Sequence, residues 1–191
     1  MKKKNKSILQ ATVFALPFSL KLNQKLSNNF KTDYLTMYPK FKIANEFRDN
    51  ISIKSISFFS TLHFFLRKFE KYKFIKRLNL IFEKISYFKI DNYMKNKKEN
   101  YDIFILQATL GKEILPYIKN KIKLLDKQSA HVEIEREMSK KEFDLRNIKI
   151  PFNEIFSANE FEHNRELKEY KIADKIIVQS NFVHKSFIDM G

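Results

Sequence analysis

Residues 101–131 read YDIFILQATLGKEILPYIKNKIKLLDKQSAH, and this stretch decides the fold. Tyr101–Thr109 is an apolar run suited to a strand, and Ile122–Asp126 is a second. Runs of this kind, without polar alternation, belong to strands covered on both faces, as in parallel sheets. Between them a helix is expected over Leu110–Asn120, opened by Gly111 and carrying Pro116. Toward the C-terminus, His131–Leu145 reads as a helix and Ile150–Pro151 as a loop. Ser157 is expected to cap a helix running through Tyr170 to Asp174, with Glu160 completing a capping box. Lys175–Gln179 is then a strand, and Ser180–Met190 a helix that ends at Gly191. Strict strand–helix alternation predicts an α/β domain with a mostly parallel sheet and right-handed crossovers.

Working back toward the N-terminus, Ser7–Leu16 is another buried strand, ended by Pro17. Ser19–Asn29 reads as a helix carrying Leu20, Leu22 and Leu26, and Thr32–Met37 as a short strand closed by Pro39. Alternation over Ile51–Phe59 suggests one more strand. Leu62–Lys98 is helical in pattern, with Phe74, Leu78, Ile81, Phe82, Ile85 and Phe88 at steps of three and four. Lys73, Lys76, Arg77, Lys84 and Lys89 surround that stripe. It suits either an interfacial helix lying on anionic lipid or an ordinary amphipathic helix facing a core.

The 191 residues, 43% hydrophobic and 31% charged, fit one folded domain. The absence of cysteine excludes a disulfide framework and any thiolate metal site. Two glycines leave no Gly-rich phosphate loop, and neither a Walker loop nor a G-x-G-x-x-G occurs. A G-x-S-x-G elbow is missing too, and His163 and His184 lack metal-ligand spacing with His131.

The net charge of +15 is lopsided: residues 1–100 hold 22 basic and 7 acidic side chains, whereas the remainder holds 15 of each. Such an excess suits an anionic partner (membrane surface, nucleic acid or phosphorylated substrate) or simply solvated lysines. No recognisable module supports nucleic acid. Met1–Lys6 followed by Ile8–Leu20 imitates a signal peptide, but Gln10 and Thr12 interrupt it and no small-x-small site follows, so a buried first strand accounts for it better. Ile56–Leu66, which contains His63, falls well short of the roughly 20 apolar residues of a spanning helix.

Ligands of parallel sheets bind at the carboxyl ends of strands, here Leu16–Phe18, Gln107–Gly111, Lys127–His131 and Gln179–Phe182. His131 sits just past a buried strand, where a neutral imidazole either serves the fold or hydrogen-bonds a sugar hydroxyl or phosphate. Asp126 and Ser129 are placed to orient it or to cap the next helix. Glu133, Glu135 and Glu137 complement that helix's dipole, a base or sugar-binding role being the rarer alternative. Arg165, Glu166 and Glu169 read as a solvated face with an Arg165–Glu169 pair at i,i+4.

Three segments carry a resemblance: LLDKQSAH (Leu124–His131), NRELKEYKIADKIIVQS (Asn164–Ser180) and NFVHKSFIDMG (Asn181–Gly191). In order and spacing they resemble the D-x-x-S-A-H, E-x-x-E-Y-x-x-A-D-x-I-I-V-P-S and S-E-F-V-x-x-S-F-x-x-x-G segments of the N-terminal, Rossmann-like domain of retaining GT-B-fold glycosyltransferases of family four. Thr36–Pro39 is similar to that family's T-x-Y-P. The resemblance implies transfer of a sugar from a nucleotide sugar to a cell-surface glycan or lipid acceptor, without metal or other cofactor. His131 would be the active-site histidine near the donor sugar and its leaving phosphate. Ser129 and the loop carrying Ser180 and Asn181 would line the substrate cleft, with Gln107 and Thr109 as acceptor-side contacts. A cytoplasmic location, peripheral at the inner face of an anionic membrane, also follows.

The chain departs from the pattern at Ala15-Leu16-Pro17-Phe18, where relatives carry glycines, and at Gln179-Ser180-Asn181 in place of P-S-E. Gly191 stands where the family crosses to its second domain. Residues 1–191 are therefore expected to be the acceptor-side domain, either of a truncated gene product or of a split enzyme whose donor-binding domain a second chain supplies, with little turnover in isolation. The alternative is a non-catalytic basic membrane-surface or interaction module derived from such a domain.

Overall fold

Ser7–Thr12 forms β1, buried from Ile8 onward, and it lies near the middle of a sheet ordered β3-β2-β1-β4-β5-β6. The other strands are β2 (Lys31–Thr36), β3 (Ile53–Ser55), β4 (Ile103–Gln107), β5 (Ile122–Lys127) and β6 (Lys175–Val178). The computed structural model describes residues 6–13, 15–56, 58, 61–62, 65, 73–147 and 160–191. Among them every strand pair is parallel. The chain steps one way from β1 to β3 and the other way from β4 to β6, so right-handed crossovers send helices to both faces. This is the expected α/β, Rossmann-like arrangement. Its strand order reverses between β1 and β4, and all carboxyl ends share one rim.

The helices are α1 (Pro17–Ser27), α2 (Asn45–Arg48), α3 (Lys73–Lys97), α4 (Val132–Leu145), α5 (Glu160–Ile172) and α6 (Asn181–Asp189). Pro17 opens α1 rather than merely ending β1, because the first helical position needs no N–H. Alternation along the strands splits the core in two. Leu9, Ala11, Leu35, Phe104 and Leu106 pack with Tyr87, Ile90 and Met94 of α3. On the opposite face Tyr34 and Ile53 pack with Leu20 of α1 and with Ile43, Phe47 and Ile51.

Two expectations are corrected. Leu110–Asn120 is not a helix but a series of turns with a single 3-10 turn at Leu115–Tyr117. Pro116 has no N–H to continue a helix and clashes with the preceding turn, and Thr109 takes a left-handed φ of 83° that breaks the path at its start. Leu110, Ile114, Leu115 and Ile118 instead plug the α3 side of the core. A Cβ on Gly111 would meet Leu115 Cδ1 at 2.7 Å, so the plug is close-packed there. Secondly, among the described residues of 51–59 the strand is only the three residues Ile53–Ser55.

The aromatic stripe of α3 divides. Tyr87, Ile90 and Met94 are buried, Leu78, Phe82 and Ile85 are half-buried, and Phe74, Ile81 and Phe88 stay exposed at seven-residue spacing. No helix among the described residues is long and apolar enough to cross a membrane. His63, most of Leu62–Tyr72, Ile150–Pro151 and the Ser157 cap lie outside the described residues.

Candidate functional site at the carboxyl rim

Parallel register sets Gln107 beside Asp126 and Lys127 beside Val178, so β4, β5 and β6 end together. The residues expected to line a site, Gln107 and Thr109, Ser129 and His131, Ser180 and Asn181, therefore follow three neighbouring strands on one rim. Their side chains do not all converge. Ser180 caps α6 by accepting from Val183 N at 3.2 Å, while Ser129 and Asn181 are exposed. Gln107 Oε1 accepts from Val13 N at 2.9 Å and so ties down the turn after β1.

His131 is the pivot. It caps α4 with its own Nδ1, which accepts from Glu133 N at 3.3 Å. Its backbone N–H donates to Ser186 Oγ of α6 at 2.9 Å. The ring lies 4.9 Å from that of Tyr170 and 5.0 Å from that of Phe187. Burial holds its pKa below the ordinary histidine value; the carboxylate of Glu133 works against this and the charge of Lys127 with it. A neutral ring whose Nδ1 accepts must carry its proton on Nε2. Nε2–H makes no hydrogen bond among the described residues. The histidine is thus a structural cap with one donor to spare.

The polar face of α5 is buried, which overturns the solvated reading of Arg165, Glu166 and Glu169; they are 3%, 7% and 0% exposed. Glu169 accepts three backbone N–H groups, from Thr109 at 2.7 Å and from Gly111 and Lys112 at 2.8 Å. Burial pushes its carboxyl up to about 7, against those amides and the Arg165 charge. Arg165 does not pair with Glu169 directly. Its Nε donates to Thr109 O at 2.9 Å, its guanidinium stands 5.2 Å over the Tyr87 ring, and it pairs with Glu113 at 3.9 Å. Helix α5 therefore locks the left-handed Thr109 turn, and Thr109 serves the loop.

Lys127, at the end of β5 and 4% exposed, binds Glu166 at 2.7 Å and Glu135 at 3.3 Å. Tyr170 OH donates to Glu166 as well, and His163 Nε2 meets Glu133 Oε1 at 2.9 Å. Glu133 and Glu135 thus join α4 to α5 and β5 beyond complementing a dipole, whereas Glu137 is exposed. Sequence reasoning missed Lys127, Tyr170, Ser186 and Phe187. The signal was there in α5: a helix without an apolar stripe that still packs must bury polar groups at steps of three, as at His163, Glu166 and Glu169.

Asp126 neither orients His131 nor caps α4, contrary to expectation. It is 3% exposed, and neither carboxylate oxygen has a hydrogen-bond partner within 3.5 Å. Burial raises its pKa, and a hydrogen bond from the Gln128 side chain offsets only part of this. Among the described residues no cluster of three His, Asp or Glu is placed to hold a metal ion.

No family model matches the chain. Neither the curated proteins nor the solved structures yield a match.

Proposed function

We propose that this chain is the acceptor-side domain of a retaining glycosyltransferase, transferring a sugar from a nucleotide sugar to a cell-surface glycan or lipid when a second domain completes the site. One observation carries the reading. The three segments that resemble the family meet in space: His131 comes from the first, Tyr170 from the second and Phe187 from the third, with ring centroids 4.9–5.0 Å apart. In this reading the neutral imidazole donates from Nε2 to an anionic oxygen of the leaving phosphate or to a sugar hydroxyl. The Lys127–Glu166–Tyr170 network holds the ring's surroundings in place. The carboxylates that grip the donor nucleotide come from the second domain, and no metal takes part.

The test is co-expression with a polypeptide supplying the donor domain, followed by assay of sugar transfer. His131→Asn keeps a side-chain cap for Glu133 N and removes the imidazole. Transfer is expected to fall about 100-fold or more; a variant pair as active as the parent removes His131 from the mechanism.

A second reading is favoured by α3. Phe74, Ile81 and Phe88 lie at seven-residue spacing and are 72%, 52% and 64% exposed, with Arg77, Lys84 and Lys89 exposed beside them. This suits a basic module docked on an anionic membrane surface at the cytoplasmic side, with or without transferase activity. Flotation with anionic but not neutral vesicles, lost when all three apolar residues become serine, supports it; equal flotation with both vesicle types removes it.

A further inference from the structure

The two helices that begin at the β5–β6 end of the rim are capped by different chemistry. Helix α6 is capped by Ser180, whose hydroxyl accepts from Val183 N at 3.2 Å. Helix α4 is capped by His131, whose Nδ1 accepts from Glu133 N at 3.3 Å. Serine, threonine, aspartate and asparagine are the usual caps, and none of them changes protonation near neutrality. Histidine does. Its ring nitrogen accepts only while it carries no proton, and imidazolium is a donor at both nitrogens. A proton on Nδ1 sets N–H against N–H and puts a cation at the positive end of the α4 dipole.

The place of the ring makes this more than a local matter. It is buried between Tyr170 of α5 and Phe187 of α6, and the backbone N–H of the same residue holds Ser186 Oγ. The ionisable groups facing it are Lys127 of β5, Glu133 of α4, and His163, Glu166 and Tyr170 of α5. Helix α6 meets it through Ser186 and Phe187, which carry no charge. The carboxylates of Glu133 and Glu166 favour imidazolium, but the first is shared with His163 and the second with Lys127 and Tyr170. Burial prevails and holds the folded-state pKa below the ordinary 6.5. The unfolded chain then takes up the proton more readily. The contribution of the cap is therefore complete above about 6.5 and lost as pH falls through the folded-state value.

We propose that the His131 cap is a proton-operated latch: in mild acid its Nδ1 turns from acceptor to donor, α4 loses its first-turn cap, and the β5–β6 end of the rim loosens. The latch stands on the cap geometry and requires neither a donor domain nor sugar transfer.

The experiment is residue-resolved amide hydrogen exchange on the full chain between about pH 8 and about pH 5, corrected for the intrinsic pH dependence of exchange. His131→Asn and His163→Gln are measured beside wild type. On acidification the Glu133 amide is expected to lose about 5- to 10-fold in protection, while the Val183 amide, held by a serine, keeps its own. In His131→Asn the Glu133 amide retains an acceptor at every pH and shows no such loss. His163→Gln, which keeps a donor for Glu133, responds as wild type does. Should His131→Asn fail to fold, the ring nitrogen shifts of wild-type His131 carry the test. Nδ1 must gain its proton over the same pH interval in which Glu133 loses protection. Protection at Glu133 that stays constant, that falls equally in His131→Asn, or that falls together with Val183 overturns the latch. None of these results touches sugar transfer by the completed enzyme, which is tested separately.

Discussion

Glu169 and Asp126 are both buried carboxyl groups at the carboxyl rim, one on the α5 side of the sheet and one on the α1 side. Glu169 accepts three backbone N–H groups and lies within the field of Arg165. Asp126 accepts none. Burial raises the pKa of both, so desolvation alone does not separate them. What separates them is whether the fold supplies donors. On the α5 side, charge is part of the scaffold that shapes the rim loops; on the α1 side only the Gln128 side chain attends the carboxylate.

The largest effect that can break this contrast comes from Glu169→Ala. It orphans the N–H groups of Thr109, Gly111 and Lys112 and is expected to destabilise by about 4 kcal/mol in chemical denaturation. A loss below about 1 kcal/mol would mean the turn holds itself. Next is Lys127→Met, which leaves Glu166 buried beside Tyr170 with no cation and is expected to lose about 3 kcal/mol. Restoring stability with Lys127→Met plus Glu166→Leu is the matching check, since removing both charges removes the desolvation penalty. His131 ranks third. His131→Ala loses the cap and two aromatic contacts, about 2 kcal/mol, and His131→Asn, which keeps the cap, about 1 kcal/mol. Equal losses in the two variants would show that the cap contributes nothing.

The same contrast explains what was legible in the sequence. Runs such as SILQAT and IFILQ mark their strands because a doubly covered strand has no solvent face to encode. The rim followed, as parallel strands share one carboxyl end. His131 was legible as a strand-end residue but not as a cap, for capping is a matter of φ and ψ at one position. Leu110–Asn120 misled because its leucines and isoleucines mimic helical spacing, while Pro116 and the Thr109 turn decide otherwise. Arg165 and Glu169 have the spacing of a surface pair, and nothing local tells a solvated pair from a buried one; the partners of Glu169 are amides 57 to 60 residues away. Asp126 is the converse case: a polar residue ending an apolar run suggests solvent, yet it is 3% exposed, on the α1 face of the sheet beside Gln107.

Asp126→Asn carries the smallest expected effect, opposite in sign to the others. Asp126 has a folded-state pKa above its ordinary 3.8. Between those two values the folded chain binds more protons than the unfolded one, so stability falls as pH rises through that window and levels off above it. Asparagine does not titrate and escapes this loss. Its advantage should therefore be near zero in acid, below the ordinary carboxyl range, and grow with pH to about 1 kcal/mol at neutrality. Glu169 and Asp91, raised to about 7 and about 6, slope the curves of both proteins alike and cancel in the difference. Denaturation series for the two proteins across acid to neutral pH measure that difference directly. An Asn variant that is less stable at neutral pH, or whose advantage shrinks as pH rises, would mean that the Asp126 carboxylate is already served by the fold, and the two sides of the rim would then be alike.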